Sequence, residues 1–231
     1  MHGGNQLEGL ELFQDVRPEI RDRLWKNGKV EGYERNRMII RAREPVGAVF
    51  IQLSGKSVVY NLTHMGKRKI LFVFGKGMLL NEHVMNWHSA SLYCETIEKS
   101  RIFTVPSSKF IHYMEQDFEL AKSVLVAQEK KIWRLGHQLK NTMGSVYMER
   151  KLAAKLWKLG RDFGIQTPEG IEIDVKLTVT FLADMLGAPR ETASRLCKTL
   201  TGYGLIQMDK KRITILDPHK MSVFYKTGKV E

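Results

Sequence analysis

The sequence predicts an α+β chain in three parts, and three observations carry that prediction. Short β-rich runs punctuated by glycine extend from Val30 to about Pro106. A long helix with apolar residues alternately three and four apart follows, from about Met114 to Thr142. Leu177 to Asp217 then reads as two short helices and a hairpin. The expected boundaries are residues 1–113, 114–146 and 147–231.

Each element follows from its residue pattern. Residues 7–27 look like a short helical lead-in, with Leu12, Phe13, Val16, Ile20 and Leu24 as its apolar face. Met38–Ile40, Ala48–Leu53, Ser57–Leu62, Lys69–Phe74, Leu92–Ile97 and Arg101–Val105 are the expected strands, with turns at Gly47, Gly55, Gly66, Gly75 and Gly77. Short strands at nearly regular spacing make a small sandwich or barrel. In the long helix, Phe118, Ala121, Leu125, Gln128, Ile132, Leu135, Leu139, Thr142 and Val146 form a heptad seam, interrupted by the polar Gln128 and Thr142. So narrow a stripe more often pairs with another helix than with its own domain, which makes Leu125, Ile132, Leu135 and Leu139 a candidate dimer interface. Asn141–Tyr147 reads as a hinge. A further helix, Tyr147 to Asp162, offers Leu152, Ala153, Leu156 and Leu159 to a core; a loop, Ile165–Gly170, and a short strand, Ile171–Val175, come next.

The last stretch carries the most chemistry. Thr178 to Leu186 has apolar residues on one face of a short helix, and Gly187 accepts the left-handed conformation that ends it. Pro189 suits the first position of a second helix, Pro189 to Thr201, which buries Ala193, Leu196, Cys197 and Leu200. Its other face presents Arg190, Glu191, Thr192, Ser194, Arg195 and Lys198. Two short helices about a glycine turn form a helix-turn-helix, whose second helix enters the major groove of DNA. Ile206–Met208 and Ile213–Leu216 form a hairpin with a basic tip, a wing. Arg190 and Arg195 can each fork onto guanine O6 and N7, and Glu191 can accept from cytosine N4. Thr178, Thr180 and Lys211 are expected to join them at the duplex. An ordinary amphipathic helix also shows charges to solvent, but Arg-Glu-Thr and Arg195 directly after a glycine-centred turn form a more specific pattern.

Composition agrees. Hydrophobic content of 43% and charged content of 27% describe a globular protein, and a net charge of +12 suits a polyanionic partner, which charge alone leaves open between nucleic acid and an anionic membrane. Two cysteines, Cys94 and Cys197, are too few for a disulfide framework or a four-thiolate cluster. No apolar run approaches the length of a bilayer span, and MHGGNQLEG lacks the regions of a signal peptide, so a cytoplasmic location without membrane association is expected.

The stretch LGAPRETASRLCKTLTGYGLI closely resembles the recognition element of the CRP/FNR family of bacterial transcription regulators. AVFIQLSGKSVVYNL and FVFGKGMLLNE resemble, more loosely, that family's β-roll sensor domain. The resemblance implies an N-terminal β-roll of the cyclic-nucleotide-binding, jelly-roll type, a long dimerisation helix and a C-terminal winged helix-turn-helix. It also implies a homodimer on a palindromic operator with TGTGA-type half-sites, read by Arg190, Glu191 and Arg195. Thr167 and Gly170 fall in the loop that touches RNA polymerase in activators of the family.

The sensor departs from the cyclic-AMP-binding pattern that the resemblance implies. Where those members place Gly-Glu against the ribose, this chain has Asn81-Glu82; where they place Arg-Ser against the phosphate, it has Ala90-Ser91, with two residues fewer between. A buried phosphate without its guanidinium loses a strong charge-assisted contact. His83 matches the haem-ligating His of the carbon-monoxide-sensing member, yet haem needs more than one placed His and is not expected. A haem-based gas or redox sensor and a cyclic-nucleotide-responsive regulator stand as the alternatives. His64, His83, His88 and His112 show no His-x-His pattern, so no metal site and no enzyme are expected. A small-molecule effector of another kind is the expectation. Trp133 and His137, flanked by Lys130 and Arg134, face Phe72, Phe74, Trp87 and Tyr93 in this reading, with Glu82, His83 and Ser91 nearby. Aromatic and cationic groups together suit an aromatic or organic anion, although any one of these aromatics could be ordinary packing.

Overall fold

A computed structural model describes residues 5–85, 89–140 and 147–230 of the chain. They fall into two compact units, one of Met1–Asn61 with Leu71–Gly136 and one of Leu62–Ile70 with His137–Glu231.

The N-terminal lead-in is a 3-10 turn, Glu11–Phe13, followed by α1, Pro18–Asn27, which starts on a proline that loses no hydrogen bond there. Leu12, Phe13, Val16, Ile20 and Leu24 are all buried, as the apolar spacing predicts. Seven strands follow: β1 Lys29–Tyr33, β2 Met38–Ile40, β3 Ala48–Ser54, β4 Ser57–Leu62, β5 Arg68–Phe74, β6 Tyr93–Thr96 and β7 Ser100–Pro106. They form two sheets, ordered β1-β7-β3 and β2-β6-β4-β5. This is the β-roll, and β1 is the strand that the pattern KVEGY did not announce. The β3–β4 turn requires glycine at Gly55, whose φ is +76° and whose missing Cβ would stand 2.4 Å from the Lys99 carbonyl oxygen. One core joins Leu7, Phe13, Leu24, Val49, Ile51, Phe103 and Phe110. A second cluster, around Ile40, Val59, Phe72, Phe74 and Cys94, lines the space described below.

The expected single helix from about Met114 is two helices. α2, Ser107–Gln116, stops at Asp117, which is extended (φ −138°, ψ 105°), and α3 runs Phe118–Lys140. The break has a physical cause. The buried Asp117 carboxylate accepts from the backbone N–H of Arg17 (2.9 Å), from its Nε (3.3 Å) and from the N–H of Glu119 (3.0 Å). It thus caps α3 while tying it to the lead-in. Burial pushes this carboxyl up, but those bonds and the Arg17 charge hold it below its ordinary value. The expected hinge at Asn141–Tyr147 lies, except for Tyr147, outside the described residues, as do Thr142 and Val146 of the seam.

In the second unit α4, Met148–Phe163, buries Leu152, Ala153, Leu156 and Leu159 on one face. The expected loop after it is partly strand: β8 Gly164–Thr167 and β9 Gly170–Ile173 make a tight hairpin. α5, Val179–Leu186, α6, Arg190–Gly202, β10, Ile206–Asp209, and β11, Arg212–Ile215, complete the expected winged motif, in a sheet ordered β10-β11-β9-β8. A last helix, α7 Pro218–Thr227, is unannounced by apolar periodicity. It packs on α4 through buried Met221 and Phe224, and the Arg150 guanidinium donates to the carbonyls of Tyr225 (3.2 Å from Nε) and Lys226. Asp217 caps it, accepting from the N–H groups of His219 (2.9 Å) and Lys220 (3.0 Å).

Candidate nucleic-acid interface and effector cavity

The helix-turn-helix is set by its caps. The Thr178 hydroxyl accepts from the N–H of Phe181 at 3.1 Å and starts α5; Gly187, at φ +69°, ends it in the left-handed conformation. Pro189 is the cap residue rather than the first residue of α6, so the helix opens on Arg190. Ala193, Leu196, Cys197 and Leu200 are buried as expected, and burial pushes the Cys197 thiol up, leaving it a neutral packing group. Arg190, Glu191, Arg195 and Lys198 are exposed, while Thr192 and Ser194 are half-buried. With Arg190 and Glu191 in the first turn and Arg195 five residues on, these three charges lie in the N-terminal half of the helix. Thr180 and Lys211 are also exposed; Lys210, beside Lys211 at the tip between β10 and β11, has φ +53°. Arg212 is not a free tip charge, since its Nη1 lies 2.6 Å from Glu172 Oε1 on β9.

At the β8–β9 hairpin, Thr167 Oγ1 donates to the Gly170 carbonyl at 3.1 Å. Gly170 has φ +140°, and a Cβ there would meet the Ile215 carbonyl oxygen at 2.2 Å. Its identity is therefore demanded by the sheet, whatever the loop touches.

The other site lies within the first unit. A cavity of about 550 Å³ is walled by Phe72, Phe74, Leu80, Leu92 and Tyr93 from the roll and by Ala121, Val124, Leu125, Ile132 and Leu135 from α3. That size falls within the range, about 300–1,000 Å³, usual for small-molecule sites. Its polar residues are few and mostly committed. Asn81 Oδ1 accepts from the N–H of Phe50 (2.7 Å), and its amide donates to the Ala48 carbonyl (2.8 Å). Gln128, the polar interruption of the seam, donates to the carbonyl of Glu82 at 3.3 Å. Glu82 accepts from the N–H of Ser91 (2.9 Å) and from its hydroxyl, so it orients the local turn. His83 Nε2 stands 3.6 Å from Glu82 Oε1. Buried Ala90 lines the cavity. Cys94 lies in the wall with its thiol pushed up by burial to about 12, hence neutral.

Of the expected effector residues, the structure brings Glu82, His83 and Tyr93 to this cavity and sets Ser91 against Glu82. Trp87 lies outside the described residues. Lys130, Trp133, Arg134 and His137 are not among the residues that line this cavity, and the reason is geometrical. Residues 121, 124, 128, 131 and 135 lie on the face of α3 turned to the roll, and 130, 133, 134 and 137 lie on other faces. Lys130 Nζ instead pairs with Glu11 at 2.6 Å, and Trp133 is 64% exposed. The residue that was missed is Lys131. A lone lysine in a stripe spaced three and four residues apart was the available signal. Its Nζ donates to the Asn81 carbonyl at 2.7 Å and stands 5.3 Å from the centre of the Phe74 ring. Burial lowers its pKa to about 8. Leu125, Ile132 and Leu139 remain 58%, 69% and 64% exposed.

Two family models match the chain: a cyclic nucleotide-binding domain over residues 30–117 and a Crp-like helix-turn-helix domain over residues 150–224. The global nitrogen regulator of Synechococcus elongatus is 27% identical over 84% of this chain and 88% of its own. The CRP-like cAMP-activated global transcriptional regulator of Mycobacterium tuberculosis is 21% identical over 91% of this chain and 94% of its own. Among solved structures, the c-di-GMP responsive global regulator CLP of Xanthomonas campestris superposes with a TM-score of 0.72 at 16% identity, over 87% of this chain and 100% of that one.

Proposed function

From the premise that the chain belongs to the CRP/FNR family of transcription regulators, we propose that it is a homodimeric, ligand-gated regulator that reads a two-fold, TGTGA-like operator and answers to an effector other than cyclic AMP. Residues 1–113 are the sensor, 114–146 the dimerisation helix and hinge, and 147–231 the reader. The observation that carries base reading is the exposed end of α6, where Arg190, Glu191 and Arg195 stand beyond a fixed glycine turn. Thr178, Thr180, Ser194, Lys198 and Lys211 supply backbone and flanking contacts.

Leu125, Ile132, Leu135 and Leu139 form the seam between two copies. Three of them leave large apolar side chains mostly exposed on one helix, a surface that association would cover. A two-fold pair then spaces two recognition helices one DNA turn apart, roughly 34–36 Å. Thr167 and Gly170 shape the hairpin offered to RNA polymerase. Ala90 in the cavity wall, with Glu82 already engaged by Ser91, supports an effector without a buried phosphate.

Fluorescence anisotropy tests the reading. A duplex carrying paired TGTGA half-sites is expected to bind far more tightly than a scrambled duplex of the same composition, with both affinities falling as salt rises. Equal affinity for the two duplexes would make the chain a non-specific binder.

A further inference from the structure

The cavity holds one ammonium, and its surroundings state the chemistry that would satisfy it. Lys131 Nζ has three protons to donate. Among the described residues it reaches one acceptor, the Asn81 carbonyl at 2.7 Å. The Phe74 ring at 5.3 Å offers a weak electrostatic contact, not an acceptor for both remaining protons. Lys131 is half-buried, and donors drawn out of water without a partner are costly, charged ones more so.

Three of the other polar side chains of the wall, Asn81, Gln128 and Glu82, already hold partners. Asn81 is tied to Phe50 and Ala48. Gln128 is tied to the backbone of Glu82. Glu82 is held by Ser91 and stands beside His83. From β6, Cys94 faces Lys131 as a neutral thiol, and Tyr93 lines the wall beside it. The rest of the lining is apolar.

Resting on the reading of this cavity as the effector site, we propose that it takes a monocarboxylate with an uncharged apolar body. The carboxylate accepts from the spare protons of Lys131, and the body lies against Phe72, Phe74, Leu80 and Val124. A dicarboxylate or a phosphate dianion would bring a second charge that meets no second lysine or arginine among the described residues of this wall and faces Glu82. A sugar or nucleotide would bring many hydroxyl and amide groups to a wall that is mostly apolar. Lys131 is thus the specificity-determining residue.

The charge of Lys131 also fixes a pH dependence. Burial lowers its pKa to about 8, and Glu82, the anionic group facing it, offsets only part of that. The ammonium is present below that value and lost above it, so carboxylate affinity declines as pH rises from 7 to 9.5. An uncharged ligand of the same shape is unaffected.

Calorimetry on the full chain tests this with decanoate and decan-1-ol, which share an apolar body and differ in charge. At pH 7 decanoate is expected to bind at least about tenfold more tightly, since the ammonium–carboxylate contact is charge-assisted. The advantage shrinks by pH 9.5. Lys131→Met and Lys131→Gln, the second still able to donate to the Asn81 carbonyl, bind the two ligands alike. Val124→Trp, which fills the cavity, weakens both.

Equal binding of decanoate and decanol to the unmodified protein, or a preference that survives both Lys131 substitutions, would overturn the anchor and leave the cavity as an effector site. Absence of binding by either ligand, or binding that Val124→Trp does not weaken, would overturn the cavity reading along with it.

Discussion

The reader and the sensor of this chain put their function in opposite kinds of place. In the reader, the proposed contacts are neighbours in sequence on one exposed helix end, and their direction is set by two local devices, the Thr178 cap and the left-handed Gly187. In the sensor, the proposed anchor is a half-buried lysine in a wall assembled from several strands of the roll, the segment between β5 and β6, α2 and α3. The first kind of site changes by swapping surface side chains. The second changes with every residue that sets the cavity's shape and charge, which is consistent with relatives that share the architecture and are described by different effectors.

The comparison can be broken most severely at α3, which serves both regions in the proposed dimer. Replacing Ile132 and Leu139 together with Glu puts charges into the seam and is expected to leave monomers with no measurable operator binding. Sedimentation checks the first effect and anisotropy the second; an unchanged dimer would move the interface elsewhere.

At the reader alone, Arg190→Ala is expected to cost about 1–3 kcal/mol on the operator and to relax the choice at one guanine of each half-site. A loss equal on all sequences would make Arg190 a phosphate contact. At the sensor alone, Lys131→Met should stabilise the chain. Burial lowers the Lys131 pKa to about 8, so the unfolded chain binds that proton more tightly and stability rises as pH climbs from about 8 towards the unfolded value near 10.4. Removing the lysine is expected to add roughly 1–2 kcal/mol at pH 7, an advantage that fades above pH 10. Thermal unfolding at both pH values measures it. The smallest effect is at the C-terminus, where Asp217→Ala removes the α7 cap and should cost about 1 kcal/mol without altering operator specificity.

The difference between the regions also explains what could be read from the chain. Helix faces and glycine punctuation announced α4, α5, α6, the wing and six of the seven roll strands, because each is specified by residues close together in the chain. The α7 helix was legible too, in the Asp-Pro start and Gly228 stop, but its apolar face is narrow, with Met221 and Phe224 its buried residues. The break at Asp117 was not legible, since it depends on Arg17, one hundred residues away. The cavity shows the same limit. Trp133, His137, Lys130 and Arg134 make a plausible cluster along the sequence, yet a turn of about 100° per residue puts Lys131, and not them, against the roll.

The most direct test of the central claim is a titration with cyclic AMP, read by calorimetry and by operator anisotropy on the same preparation. The account predicts no binding heat above dilution and an unchanged operator affinity, because no arginine lines the cavity among the described residues to hold a phosphate and Glu82 is already bound to Ser91. Micromolar cyclic-AMP binding that tightens the operator complex would contradict it.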